Sequence, residues 1–92
     1  MRVVYARTAL DQLDGIATLL LARDRAAAAR VEDDRRAEIA RVGDFPLSGR
    51  RQDEGDVRKV VSPGYRYRIF YAVDQAASVI TLLSILHPAR ME

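Results

Sequence analysis

The sequence contains no cysteine, so disulfide bonds cannot stabilise the fold and thiolate chemistry is excluded. It has one histidine, His87, which leaves a poor ligand set for a transition metal, and its acidic clusters lack the spacing of a calcium loop. No apolar stretch reaches the ~18 residues of a membrane span. The first seven residues hold no apolar signal-peptide core. We therefore expect a cytoplasmic protein with no metal, no cofactor and no membrane contact.

The chain has 92 residues, which predicts a single domain over residues 1–92. A domain this small buries only about 60–65% of the surface that its unfolded chain exposes, so its margin of stability is thin. Binding of a partner to the folded state would raise that margin.

Lysine is nearly absent, because Lys59 is the only one, and the formal net charge is only +2. The charges are unevenly distributed, since residues 57–73 contain cations and no acid, whereas the acids cluster at 32–34 and 53–56. Such a basic stretch either meets an anionic partner or solvates the outer face of a sheet. Its members are Arg58, Lys59, Arg66 and Arg68.

The first half of the chain predicts one strand and two helices. Residues 2–6 are β-branched and aromatic, and residues 9–22 follow with apolar side chains at helical spacing, after Thr8 as N-cap. Gly15 lies inside this helix, which predicts a close approach of another element there. A second helix begins after Asp24, a capping residue, and ends at Gly43.

Arg35 and Glu38 lie on or beside the apolar stripe of the second helix. These two side chains either pair with each other at i,i+3, or Arg35 faces a partner protein. The very short connection between the helices predicts an antiparallel helical hairpin.

A loop over residues 44–56 precedes three predicted strands, at residues 57–61, 65–73 and 78–86. The middle strand alternates, with Tyr67 and Tyr71 on one face and Arg68 on the other. The last strand is apolar on both faces, with Leu82 and Leu86 on the same one, which is typical of a central strand.

The element order predicts an α+β fold, β-α-α-β-β-β, in which the N-terminal strand and the helical hairpin pack on a small antiparallel sheet. Two helices cannot cover both faces of a four-stranded sheet, so we expect part of the far face to be bare. Either a partner protein or the 44–56 loop would then cover it, and the partner is the favoured alternative.

Four segments in this order resemble the RelE/ParE toxins of type II toxin–antitoxin systems. The most specific is residues 64–71 (GYRYRIFY), followed one strand later by residues 85–87 (ILH) and then Arg90. Residues 8–14 (TALDQLD) and 45–49 (FPLSG) are also similar to that family. The resemblance covers nearly the whole chain. It implies a toxin held inactive by a ParD-like antitoxin that wraps across its surface, with DNA contacted only through the antitoxin.

The superfamily contains two activities. The RelE-like branch cuts mRNA on the ribosome, and in that case the resemblance implies Arg68, Lys59 and His87 as the catalytic residues. The ParE-like branch poisons DNA gyrase and needs no nuclease site.

The tail after residue 87 contains no tyrosine to match the one that RelE-like nucleases carry. We therefore favour the ParE-like interpretation, with gyrase as the target and no catalytic residues. The nuclease and an inert relative that only binds an antitoxin are the alternatives.

An antitoxin that alternates acidic and apolar side chains would fit the predicted sheet face. Alternatives remain open for single residues: Arg68 binds a phosphate, the antitoxin or an acid of its own chain, and His87 is a base or a structural hydrogen-bonding group. The predicted antitoxin-binding residues are Arg58, Arg66, Arg68, Leu82, Leu86 and Arg35.

Overall fold

The computed structural model of the protein describes residues 1–89. Two helices follow the first strand, and the remaining strands come after the helices. The elements are β1 (Arg2–Tyr5), α1 (Arg7–Arg23), α2 (Arg25–Asp44), β2 (Arg50–Arg51), β3 (Val57–Val61), β4 (Arg68–Asp74) and β5 (Val79–Leu86). The α+β class and the predicted element order are confirmed, with β2 as an addition.

The sheet is mixed, with the strand order β1-β5-β4-β3-β2. β1 runs parallel to β5, and every other neighbouring pair is antiparallel. The three predicted strands β3, β4 and β5 form the antiparallel sheet that the sequence predicted, and β1 joins it in parallel. A parallel pair needs a long connection, and the helical hairpin and three strands between β1 and β5 supply it.

β2 lies within the segment that the sequence predicted as a loop. Arg50 pairs with Lys59 and Arg51 pairs with Arg58, so this segment extends the sheet at its edge. The alternative in which the 44–56 loop folds over the far face is therefore wrong. A strand of two charged residues carries no periodic signal, which is why the sequence did not reveal it.

The hydrophobic core lies between the sheet and the two helices. Tyr71, Ile69 and Ile80 are fully buried on the helix-facing side of the sheet. Ala9 of α1 and Val42 of α2 are also fully buried in this cluster. Both helices therefore cover the same face.

A β-bulge in β5 changes which side chains face the core. Phe70 pairs with Ser84 but Tyr71 pairs with Leu82, so Leu83 is an extra residue in the strand. The strict alternation that put Leu82 and Leu86 on one face was therefore wrong. A bulge reverses the alternation beyond it. Leu82 and Ile85 lie in the core, and Leu86 is on the opposite face.

α1 begins two residues earlier than predicted, and Ala6 rather than Thr8 is its N-cap, without a side-chain hydrogen bond. Gln12 accepts a hydrogen bond from the backbone N–H of Ile85, near the end of β5. Further along α1, Leu13, Ile16 and Leu20 pack against the hydrophobic core. The predicted close approach at Gly15 was wrong, because a Cβ there would meet nothing within 4 Å.

α2 is capped as predicted, because the Asp24 carboxylate accepts a hydrogen bond from the N–H of Ala27 at 3.1 Å. It ends at Asp44, one residue after Gly43, which lies against Val3 of β1.

The predicted pairing of Arg35 with Glu38 was wrong. Arg35 instead pairs with Glu32 at 3.2 Å, and Glu38 pairs with Arg41 at 2.6 Å. The Arg35 side chain is only 13% exposed. Its predicted role in antitoxin binding therefore has little accessible surface to support it.

Candidate functional site

One face of the sheet is left uncovered by the described part of the chain, as the sequence predicted. Its side chains lie opposite the core-facing residues of each strand and are all half-buried. Neighbouring strands bring them into rows through the pairing of β3, β4 and β5. We call this the uncovered face; its members are Val4, Val57, Lys59, Val61, Arg68, Phe70, Ala72, Thr81, Ser84 and Leu86.

A row of charge crosses the uncovered face beside a single aromatic ring. Arg50 pairs with Lys59, Lys59 with Phe70, and Phe70 with Ser84, so the four residues are neighbours on adjacent strands. The Lys59 Nζ lies 6.0 Å from the centre of the Phe70 ring, at the outer limit of a cation–π contact. No carboxylate belongs to this row in residues 1–89. The row therefore offers an aromatic platform flanked by cations.

Arg68 lies at the start of β4, next to this row. It pairs with Val61 on one side and Leu86 on the other, and it is half-buried. Its Nη2 donates a hydrogen bond to the carbonyl oxygen of His87 at 3.3 Å. The nearby acid Asp56 lies 3.6 Å from Arg51.

His87 follows the end of β5, and its side chain is engaged by its neighbours. The Nδ1 accepts a hydrogen bond from the N–H of Ala89 at 3.0 Å, and the ring packs edge-on against Tyr67, with 5.4 Å between centroids. Burial raises the pKa of Tyr67, so its phenol is neutral at pH 7. Arg90, the last residue of the resemblance, lies outside the described residues.

Arg58 does not belong to the uncovered face. It pairs with Tyr71 on the core side of the sheet, and its Nη1 donates to the carbonyl oxygens of Leu47 at 3.1 Å and Gly49 at 3.0 Å. The predicted basic stretch is therefore divided between two faces. The register, rather than the sequence order, decides which cations lie together.

Arg66 lies in the turn before β4 rather than in the strand. Its φ is 62°, a left-handed conformation that is unfavourable for a residue with a side chain. The turn is held by Asp34 of α2, whose carboxylate accepts hydrogen bonds from the N–H groups of Gly64 at 2.9 Å and Tyr65 at 2.8 Å. Arg66 is exposed and available to a partner.

Leu82 is fully buried in the core, so the reason for assigning it to the antitoxin site is removed. Leu86 is half-buried on the uncovered face and keeps that assignment as a prediction. The structure thus brings together Lys59, Arg68 and Leu86 among the predicted residues. Sequence reasoning missed Arg50 and Phe70, whose positions depend on the pairing of β2 and β4.

A nuclease arrangement would need the candidate base close to the cations. Arg68 contacts the carbonyl oxygen of His87, but Lys59 is on β3, two strand positions from β5, which separates it from the end of β5 by about 10 Å across the sheet. In residues 1–89, no group of three or more His, Asp or Glu side chains could hold a metal ion. None of the helices in this range is long and apolar enough to cross a membrane.

The sequence model of the ParE toxins of type II toxin–antitoxin systems, parDE, matches residues 3–92. The chain belongs to the ParE toxin family. This match spans every element of the fold, including the strands that form the uncovered face. No curated protein is similar enough in sequence to count as a relative.

Solved structures share this fold at low sequence identity. The chromosomal ParDE system from P. aeruginosa is similar with a TM-score of 0.77 and 18% identity, covering 95% of each chain. The intact E. coli RelBE toxin–antitoxin complex is similar with a TM-score of 0.67 and 14% identity, covering 97% of this chain and 98% of the other. The isolated E. coli RelE toxin is similar with a TM-score of 0.66 and 15% identity, covering 99% of this chain and 87% of the other.

Proposed function

We propose that this ParE-family toxin inhibits DNA gyrase in the cytoplasm and is neutralised by a cognate ParD-like antitoxin. The observation that carries the proposal is the match to the ParE toxin family over residues 3–92. In this proposal the toxin acts by binding a protein, so it has no catalytic residues. DNA is contacted only through the antitoxin.

The geometry at the end of β5 is consistent with a toxin that is not a nuclease. A general base must reach the proton that it removes. The Nδ1 of His87 already accepts a hydrogen bond from Ala89, and Lys59 is two strands away. These contacts favour a structural role for His87.

The uncovered face is the proposed antitoxin site. A segment that crosses it would place carboxylates against Arg50, Lys59 and Arg68, and apolar side chains against Phe70 and Leu86. Such a segment would also cover apolar surface that no described element covers.

The proposed inhibition of gyrase is tested with purified toxin in a supercoiling and cleavage-complex assay, with and without antitoxin. We expect inhibition with accumulation of cleaved DNA, relieved by antitoxin, and equal potency for His87→Ala. A toxin without effect on gyrase would contradict the proposal.

The alternative is a RelE-like endoribonuclease, which the cations and the aromatic ring of the uncovered face favour. Such a platform is suited to a single-stranded nucleic acid, because bases stack on the ring while cations hold the phosphates. Ribosome-dependent mRNA cleavage that is lost in Lys59→Ala and His87→Ala would establish this alternative.

The antitoxin site is tested by reversing two charges, Arg50→Glu and Lys59→Glu. We expect the affinity for antitoxin to fall by about tenfold or more, and the loss to shrink as salt is raised. The control is Arg23→Glu with Arg25→Glu, which changes the net charge equally on the helical hairpin. An equal loss in both double variants would point to net charge rather than to the uncovered face.

A further inference from the structure

The loop that joins α2 to β2 is fixed to the body of the protein by one buried and one partly buried hydrogen bond. The Tyr71 hydroxyl of β4 accepts a hydrogen bond from the N–H of Gly49 at 2.9 Å and donates one to the carbonyl of Pro46 at 2.8 Å. A Cβ at Gly49 would overlap that hydroxyl, so the loop backbone and the tyrosine are in direct contact. We call residues 45–49 the anchored loop.

Two arginines add further hydrogen bonds to the anchored loop. Arg58 of β3 donates to the carbonyls of Leu47 and Gly49, and Arg41 of α2 donates to the Ser48 hydroxyl at 3.3 Å. Side chains from one helix and two strands thus hold the loop through the backbone of Pro46, Leu47 and Gly49 and the hydroxyl of Ser48. The loop conformation is set before any partner binds.

The anchored loop nevertheless presents its large apolar side chains to solvent. Phe45 is 63% exposed and Leu47 is 51% exposed, and Phe45 is the most exposed large apolar residue in the described part of the chain. Only Pro46, between them, is half-buried. An aromatic and an aliphatic side chain on a preorganised backbone have the properties of a binding anchor, because little conformational entropy is lost on docking.

Arginines follow the anchored loop directly. Arg50 is exposed and pairs with no carboxylate in the described part of the chain. The Arg51 side chain is 64% exposed and lies 3.6 Å from Asp56, itself 79% exposed, a separation at which solvent leaves the ion pair little energy. The Arg51 guanidinium is therefore available to carboxylates of a target, whereas Arg50 is the neighbour of Lys59 and belongs to the proposed antitoxin site.

We propose that the anchored loop is the surface by which the toxin docks on its target, and that the target offers an apolar pocket with carboxylates at its rim. The inference rests on the proposed function for the identity of that target. A protruding pair of apolar side chains needs a preformed concave surface, which a folded protein has. An antitoxin segment that becomes ordered on the toxin surface offers no such pocket.

The test compares two double variants with matched exposure. Phe45→Ser with Leu47→Ser removes the anchors, and Leu19→Ser with Leu21→Ser removes leucines of α1 that are 55% and 53% exposed. Growth arrest on expression, affinity for purified gyrase, affinity for the cognate antitoxin and thermal unfolding are measured for each. Phe45→Ser alone is a second, milder variant in case the double variant does not fold.

We expect the loop variant to unfold near the wild-type temperature, to keep its antitoxin affinity, to bind gyrase at least about tenfold more weakly and to lose growth arrest. The α1 variant should keep all four properties. A loop variant as toxic as wild type would overturn the inference. So would a loss of antitoxin affinity, which would assign the loop to that interface, or the same loss of toxicity in the α1 variant.

Failure of the gyrase proposal gives a different pattern. Wild-type toxin would then arrest growth without binding gyrase, and the growth comparison of the two variants would still decide whether the anchored loop meets the target. If the wild-type toxin sediments as a dimer and the loop variant as a monomer, the anchored loop mediates self-association. That result would overturn the inference.

Discussion

Replacing Tyr71 by phenylalanine removes one oxygen from the contact between β4 and the anchored loop. The fully buried ring stays in place, so the apolar packing is nearly unchanged. The N–H of Gly49, which is buried, loses its acceptor, and the carbonyl of Pro46 loses a donor. A buried donor left without a partner costs ~1–3 kcal/mol and an ordinary hydrogen bond about 1 kcal/mol, so we expect a loss of about 2–4 kcal/mol.

For a domain of this size, each kcal/mol of lost stability lowers the unfolding midpoint by about 4–8 °C, so Tyr71→Phe should lower it by about 8–32 °C. Urea unfolding followed by circular dichroism measures the free energy, and the slope should be unchanged because the same surface is exposed. Hydrogen exchange at Gly49 should accelerate. The control is Tyr65→Phe, which removes only an exposed hydrogen bond from Arg30 and should leave the midpoint close to wild type. A Tyr71→Phe midpoint within error of wild type would refute the reasoning.

Three further predictions concern stability. Leu82→Ala should lower the free energy of unfolding by ~2–5 kcal/mol because the side chain is fully buried, whereas Leu86→Ala should lower it by less than about 1.5 kcal/mol. Urea unfolding of both variants tests the bulge, because the bulge places these two leucines on opposite faces of the sheet. Arg66→Gly should stabilise the fold by about 0.5 kcal/mol, since glycine adopts a positive φ without strain, and an unchanged or lower midpoint would contradict this. Desolvation raises the pKa of Asp34, but hydrogen bonds from Ser62, Gly64 and Tyr65 outweigh it, so the folded-state pKa lies below its ordinary value. The stability that this carboxylate contributes is therefore present above about pH 4 and is lost as the pH falls through the folded pKa. The difference in unfolding free energy between wild type and Asp34→Asn should be constant near neutrality and shrink in acid; a constant difference down to pH values well below about 4 would count against it.

The helical hairpin and the strands after it could be predicted from local signals. Asp24 caps α2 as its residue type indicates, and the alternation of residues 68–74 follows the pleat of a strand. The uncovered face also followed from counting, because two helices cannot cover both sides of a sheet. The cap and the alternation depend on residues that are close in sequence, and the uncovered face depends on the number of helices and strands. Both can be predicted from the sequence.

Which cations share a surface depended on pairing between distant strands. Arg58 and Lys59 are adjacent in sequence, yet one holds the anchored loop and the other lies on the uncovered face. Arg50 joins Lys59 only because β2 adds to the sheet edge.

The sequence by itself thus determined both helices, every strand except β2, their order and the resemblance to the RelE/ParE toxins, because periodicity, capping and motif residues are local properties. The tertiary structure alone decided that Leu82 is core and that Phe45 and Leu47 are held outward. A single bulge reverses the alternation of a strand, and a tyrosine hydroxyl 22 residues away fixes a loop. Both are contacts between residues that the chain brings together only on folding.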